Sequence, residues 1–166
     1  MRLNAKTAII TGAGKGIGAS IAKRFAAEGA RLAICDINET LIRQTADELQ
    51  TSGAEVFNMT VDVTDRNMIK DMVQKVLERF ATIDILVNNA GILKDVMLHK
   101  MNEEDWDRVM NVNMKGTFNM TQAVAAIMRE KGYGKIINIS SASRFGNVGQ
   151  TNYAASKEAL VGFTRA

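Results

Sequence analysis

The sequence predicts a doubly wound α/β domain, a parallel sheet with helices packed on both of its faces. Two observations carry that expectation. Short β-branched runs alternate with longer amphipathic segments, the βαβ rhythm that builds parallel sheets. Four of the five runs are continuously apolar instead of alternating, as strands covered on both faces must be. No linker, repeat or low-complexity stretch breaks the rhythm, so residues 1–166 are expected to form one domain.

The first predicted strand is "TAIIT" (7–11), followed by the amphipathic "GIGASIAKRFAAEG" (16–29). "RLAIC" (31–35) leads into "NETLIRQTADELQTSG" (38–53), and "EVFNMTV" (55–61) leads into "DRNMIKDMVQKVLERF" (65–80). "IDILVNN" (83–89) is followed by one long helical pattern over 103–132, then by "KIINIS" (135–140) and a last helix opening at "NYAASK" (152–157). Gly29, Gly53 and Gly132 stand where helices should stop, and Asp65 is placed to cap the third. In the long helix Trp106, Met110, Met114 and Phe118 form an i+4 ladder, expected to pack inward. The other methionines suit core filling.

Composition removes several classes of function. Hydrophobic residues at 46% and charged residues at 23% are ordinary for a globular chain. The 21 basic and 18 acidic residues are interspersed, so the net charge of +3 gives no basic block for nucleic acid. A single cysteine, Cys35, excludes an internal disulfide and fits a reducing compartment. With one histidine, His99, and no second cysteine, no metal site is expected. No apolar run approaches the ~18 residues of a membrane span, and the N-terminus lacks a signal-peptide pattern. The expectation is a soluble, cytoplasmic protein. Proline is absent, although 13 glycines are present.

Sheets of this kind bind ligands beyond the carboxyl ends of their strands, so the residues that follow strands are the informative ones. After the first comes "TGAGKGIG" (11–18), with Gly12, Gly14, Lys15, Gly16, Ile17 and Gly18. Glycine permits a tight turn and a close approach of backbone to phosphate, and the amides opening the next helix attract the anion. The strand–turn–helix context favours dinucleotide binding over a purely structural turn. After the second strand comes Asp36, an acid about 20 residues beyond the glycine turn, able to accept from ribose hydroxyls. It would repel a 2′-phosphate and so favours NAD, while Lys15, able to pair with that phosphate, keeps NADP open. The structural alternatives are a helix N-cap for Asp36 and a solvated charge for Lys15. After the third strand, Asp62 suits the adenine amino group and Val63 the ring. After the fourth, Asn89, Ala90 and Gly91 of "NNAG" would pass close to a cofactor, with Asn88 bonding backbone groups between strands. Tyr153 and Lys157 stand at i and i+4, neighbours on one helical face; alone, that spacing also fits a surface helix with a snorkelling lysine.

Taken in order, TGxxxGIG at 11–18, Asp36, DV at 62–63, NNAG at 88–91, "NVNMKG" at 111–116, "NISS" at 138–141 and YxxxK at 153–157 resemble the short-chain dehydrogenase/reductase family. "SSASRFGNVGQTNYAASKEALVGFTR" and "LVNNAGILKDVMLHKM" are most similar to its 3-oxoacyl-[acyl-carrier-protein] reductases. The resemblance implies a Rossmann-type sheet of order 3-2-1-4-5 and an NAD(P)-dependent oxidoreductase working between a ketone and a secondary alcohol. It further implies 3-oxoacyl thioesters, free or carrier-bound, as substrates, an acyl carrier protein as partner, and a homo-oligomer, dimer or tetramer. The catalytic tetrad it assigns is Asn113, Ser140, Tyr153 and Lys157. A free phenol titrates near about 10, and an ammonium one helical turn away, together with an oxidised nicotinamide, favours the phenolate. Tyr153 is then expected to give a proton to the carbonyl oxygen in reduction and remove it in oxidation. Ser140 would hold that oxygen, Lys157 the nicotinamide ribose, and Asn113 a water relaying protons to the lysine.

Without the resemblance, Ser140 and Ser141 simply end a strand and Asn113 caps a kink. Arg129, Lys131 and Lys135 fit an acidic carrier protein or a solvated face equally well, and His99 is expected on a loop near the substrate entrance, with no role. A sugar, polyol or hydroxysteroid dehydrogenase of the same family is the alternative that Asp36 sustains, and a non-catalytic nucleotide-binding fragment needing a partner chain is another. Relative to the family the sequence stops early, at "VGFTRA", nine residues after Lys157. The resemblance implies a sixth strand, a Pro-Gly turn with a mobile segment, and a seventh strand beyond that point. "KIINIS" is therefore expected as a bare apolar edge, and the last helix as short, with a frayed final turn.

Overall fold

A strand covered on both faces has no room for a polar side, and all five residues of β1 (Thr7–Thr11) are buried. The computed structural model describes residues 1–166 and sets β1 in the middle of a five-stranded sheet of order β3-β2-β1-β4-β5. β2 (Arg31–Asp36) and β4 (Ile85–Asn88) flank it, and β3 (Val56–Thr60) and β5 (Lys135–Asn138) form the edges. Every pairing is parallel, with Ile9 opposite Ala33 on one side and Leu86 on the other. This is the doubly wound order that the family resemblance implies.

Alternate residues of the strands feed two separate cores. Ile9, Ala33, Cys35 and Leu86 pack against α3 (Arg66–Phe80) and α5 (Gly116–Lys131). Ala8, Ile10, Leu32 and Ile34 pack on the opposite face, against α1 (Gly16–Ala27) and α2 (Glu39–Thr51). The Cys35 thiol inside the first core is pushed up to about 12 by burial and by the neighbouring Asp36 charge. Asp65 caps α3 as expected, accepting from the Asn67 and Met68 amides. Gly29, Gly53 and Gly132 follow or end their helices at φ +85°, +86° and +70°. α3 ends instead on Ala81, at φ +60°.

The long helix expected over 103–132 is two helices. α4 (Glu103–Met110) passes through a π turn, Asn111–Lys115, into α5. The wider turn redirects the buried stripe to Val109, Asn113, Thr117, Met120, Val124 and Met128. The predicted ladder is correspondingly displaced: Trp106, Met110 and Met114 are half-buried, and Phe118 is exposed, with the Arg66 guanidinium 5.7 Å from its ring. α6 (Thr151–Arg165) runs for 15 residues, so the short helix expected at the end of the chain is not observed. β5 pairs with β4 alone, and its Ile137 is 41% exposed, in keeping with the expected edge.

Asp84, to which the sequence pattern gives no role, is buried at the amino end of β4. It accepts the Thr7 amide at 2.8 Å and pairs with Lys131, with Lys6 at 3.9 Å. Lys131 also donates to Thr82. Lys6, Lys131 and Lys135 gather around the Tyr133 ring at 4.2, 5.6 and 6.0 Å. These basic groups sit at the amino ends of the strands. No helix is long and apolar enough to cross a membrane.

Candidate active site

The carboxyl ends of all five strands open into one cleft of about 1540 Å³. Gly12, Lys15, Gly16, Ile17, Asp36, Asp62, Val63, Asn89, Ala90, Gly91, Ser140, Tyr153 and Lys157 line it. The other predicted site residues, Gly14, Gly18 and Asn113, stand behind this wall. His99 lies in a short 3-10 turn, Leu98–Lys100, and is not among the residues that line the cleft.

The glycine turn is fixed by crowding. Gly12 takes φ +64°, and a Cβ there would stand 2.8 Å from the Ala90 Cα. A Cβ on Gly18 would lie 2.2 Å from the Gly12 carbonyl oxygen, so only glycine lets α1 start this close to β1. Lys15, the N-cap of α1, provides no side-chain cap, so the first-turn amides lack a protein acceptor. Gly16 has nothing within 4 Å of its missing Cβ and lines the open cleft. This cradle suits an anion such as a pyrophosphate.

Asp36 is not the cap of α2; Asn38 is, accepting the Leu41 amide at 3.0 Å. The Asp36 carboxylate instead accepts the Gly14 and Asn38 amides, each at 3.0 Å, and each oxygen keeps a second lone-pair site. Asp62 Oδ1 accepts from the Thr64 amide and hydroxyl, both at 2.8 Å. Val63 is held against the start of α5, where a Cβ on Gly116 would be 2.6 Å from its Cγ2.

The two asparagines of "NNAG" divide the work otherwise than expected. Asn88 bonds no backbone between strands; its Nδ2 donates to the Asn138 side chain at 2.9 Å and the Thr121 hydroxyl at 3.0 Å. Asn89 makes the inter-strand backbone bonds, donating to the Thr11 and Gly12 carbonyls at 2.9 and 3.0 Å. Thr11, which the sequence reading leaves in its strand, accepts the Asn89 and Ala90 amides through Oγ1 at 3.1 and 3.0 Å. A β-branched residue ending a strand gives no sequence signal for such a role. Glu104, Asp107, Arg108 and Lys115 also line the cleft, from α4 and the π turn.

Tyr153 and Lys157 share one face of α6. Lys157 Nζ lies 5.5 Å from the centre of the Tyr153 ring and donates to the Ile139 carbonyl at 2.7 Å. Lys157 is only 4% exposed, and burial holds its ammonium below the ordinary lysine range. Ser140 Oγ donates to the Lys157 carbonyl at 2.8 Å, so in this state its proton braces α6 and is not offered to the cleft. Asn113 is fully buried. Its Oδ1 accepts the Ile92 amide at 2.8 Å, and its Nδ2 donates to the Ile92 carbonyl and to Ser156 Oγ, each at 2.9 Å. Both amide protons are thus committed to protein groups. Gly91 packs beside this pair, its missing Cβ 3.2 Å from Asn113 Oδ1 and 3.5 Å from Lys157 Nζ.

The family model for short chain dehydrogenases matches residues 6–166, nearly the whole chain. The chain belongs to the short-chain dehydrogenase family. Within this family it is similar to the 3-oxoacyl-[acyl-carrier-protein] reductase FabG of Thermotoga maritima, 46% identical over 99% of this chain and 68% of that protein. The (2S)-[(R)-hydroxy(phenyl)methyl]succinyl-CoA dehydrogenase subunit BbsD of Thauera aromatica is 42% identical over 100% of this chain and 67% of its own length. Among solved structures, NAD+-bound xylitol dehydrogenase superposes with a TM-score of 0.96 at 31% identity, covering 99% of this chain and 64% of that one. A Burkholderia phymatum short-chain dehydrogenase/reductase in complex with NAD gives 0.96 at 31% identity, over 99% and 59%. This short-chain dehydrogenase sequence therefore spans about two thirds of the length of the relatives it matches.

Proposed function

We propose that this chain is the dinucleotide-binding and catalytic part of an NAD(P)-dependent oxidoreductase that reduces 3-oxoacyl thioesters to 3-hydroxyacyl thioesters. The observation that carries the reading is the pairing of Tyr153 with a buried Lys157, 5.5 Å from the ring, in the cleft that the glycine turn and Asp36 also line. When bound, a nicotinamide dinucleotide supplies the hydride. The α1 amides beside Gly16 and Ile17 would hold its pyrophosphate, Asp36 the adenosine ribose hydroxyls, and Asp62 and Val63 the adenine. Asn89, Ala90 and Gly91 form the floor between the two ends.

Tyr153 then delivers a proton to the substrate carbonyl oxygen as negative charge develops there, and Lys157 keeps that phenol beside a cation. The same ammonium, already donating to the Ile139 carbonyl, has two protons left for ribose hydroxyls. Ser140 would hold the carbonyl oxygen after its hydroxyl turns away from the Lys157 carbonyl. Asn113 acts by fixing the Ile92 and Ser156 ends of the site. NAD is favoured over NADP, because two backbone amides pin the Asp36 carboxylate where a 2′-phosphate would meet it. An acyl substrate suits the exposed Leu93, Met97, Phe145 and Val148 on the loops after β4 and β5. The partner would be an acyl carrier protein, with the assembly a homo-oligomer.

A polyol or sugar dehydrogenase is the second reading, favoured by Asp36 and the likeness to xylitol dehydrogenase. The test follows NADH and NADPH oxidation with acetoacetyl-CoA, and NAD reduction with xylitol, on protein of verified mass. Thioester turnover that vanishes in Tyr153→Phe supports the first reading; xylitol turnover without thioester turnover replaces it with the second. Cofactor binding without either leaves a nucleotide-binding fragment that needs a partner chain.

A further inference from the structure

Near Tyr153 lie the buried side-chain amides of Asn113, Gln150 and Asn152. Asn152, the residue before it, is 0% exposed. Its Oδ1 accepts the Tyr153 amide at 2.7 Å, a first-turn amide for which the N-cap Gln150 provides no side chain. Its Nδ2 donates to the Lys94 and Asp105 carbonyls, each at 3.3 Å. Asp105 lies in the first turn of α4, where its carbonyl already occupies an intrahelical acceptor position. The bond from Asn152 is therefore not needed to satisfy that oxygen, and its effect is to set α4 against α6.

The loop after β4 is tied down along its length by the same helix and its approach. The Asn113 amide holds Ile92 and, one turn beyond Tyr153, Ser156. Gln150 Nε2 donates to both carboxylate oxygens of Asp95, at 3.0 and 3.2 Å, and the Val96 amide donates to the Gly149 carbonyl at 2.8 Å. Asn152 is the one member of this set that touches the loop, α4 and the Tyr153 backbone together. An apolar residue of the same volume would leave the Tyr153 amide without this acceptor, so the Asn152 amide both satisfies that donor and fixes where the start of α6 lies.

We propose that Asn152 is a positioning residue for the Tyr153 phenol, locking the start of α6 to α4 and to loop 92–96 so that the three move as one body. This rests on the reading of Tyr153 as the proton donor. Misplacing a reacting group by about 1 Å costs about 100-fold in rate. In Asn152→Ala, kcat for acetoacetyl-CoA reduction by NADH should accordingly fall about 10- to 100-fold, with the NADH dissociation constant changed less than about 2-fold. Asn152→Asp keeps an acceptor for the Tyr153 amide but loses both donors to carbonyl oxygens, and should lose kcat in the same way. An unchanged kcat in a cooperatively folded Asn152→Ala, or an equal loss of kcat and of NADH affinity, overturns the proposal. Tyr153→Phe is the separating control: if it still turns over, the proton-donor reading fails, whatever Asn152 does. A variant-free measurement stands beside these. In the unsubstituted protein the Tyr153 and Val96 amides should exchange hydrogen through one shared opening, and independent openings would sink the proposal even if no variant folds.

Discussion

At the scale of single residues, the site depends on charges that the backbone holds still. Asp36 is held by two amides, and on the proposed reading its removal should act on cofactor choice before anything else. Asp36→Ala is expected to weaken NADH binding about 10- to 100-fold, the loss of a hydrogen bond to a charged group. NADPH binding should be unchanged or tighter, as fluorescence titration of both cofactors would show; equal losses for both would remove Asp36 from the ribose. Lys157 shows the opposite economy of position. Burial disfavours its charged form while it donates to the Ile139 carbonyl, a placement that suits the chemistry proposed for it better than a stabilising role.

Elements carry the next set of decisions. The π turn inside the α4–α5 segment carries Asn113, whose amide bonds Ile92 and Ser156, partners that lie 21 and 43 residues away and leave no mark on local periodicity. The apolar pattern there reads as one helix, since it records which residues avoid water but not the width of a single turn. α3 holds a smaller conflict. Its last carbonyls are closed by Ala81 at φ +60°, in the left-handed region. That conformation costs an alanine about 1–2 kcal/mol, and glycine almost nothing. Ala81→Gly is therefore expected to stabilise the protein by about 0.5–1 kcal/mol after the greater unfolded-state freedom of glycine is subtracted. Thermal unfolding should shift upward by about 1–4 °C; a lower midpoint would mean that the Ala81 methyl contributes more than its backbone strain.

Across the whole molecule the two ends of the sheet have separate duties. The carboxyl ends hold the cleft, and the amino ends are fastened through Asp84, which joins β1 to the end of α5. Burial alone would raise the Asp84 carboxyl, but the Lys131 hydrogen bond, the Thr7 amide and the charges of Lys131 and Lys6 outweigh it, and the group lies below its ordinary value. The unfolded chain therefore binds the proton more readily than the folded one. The stabilisation from Asp84 is complete above the unfolded value, near about 4, and is lost as pH falls through the lower folded value. Asp84→Asn should cost about 2–3 kcal/mol at neutral pH, at or just below the roughly 3–5 kcal/mol of a broken fully buried pair, because Lys131 keeps contact with water. Urea unfolding of the variant should also vary less with pH below about 5. A variant with wild-type acid sensitivity would show that other carboxylates dominate there. Since the damage falls at the end opposite Tyr153, the dissociation constant for NADH should hardly move.

The parallel sheet and the strand-end positions of Gly12, Asp36, Asp62 and Gly91 were legible in the chain, because apolar runs and glycine placement are local properties that fix burial and turns, whereas the strand order came only with the family resemblance. So was the pairing of Tyr153 with Lys157, which needs only a helix and a spacing of four. The hydroxyl of Ser140 resting on the Lys157 carbonyl, the exchange of duties between Asn88 and Asn89, the hold of Thr11 on "NNAG" and the fastening at Asp84 were decided by tertiary structure alone. Each is a polar group whose partner lies 17 or more residues away. Which partner it meets depends on how the packed layers bring distant backbone together, and no pattern of neighbouring residues encodes that.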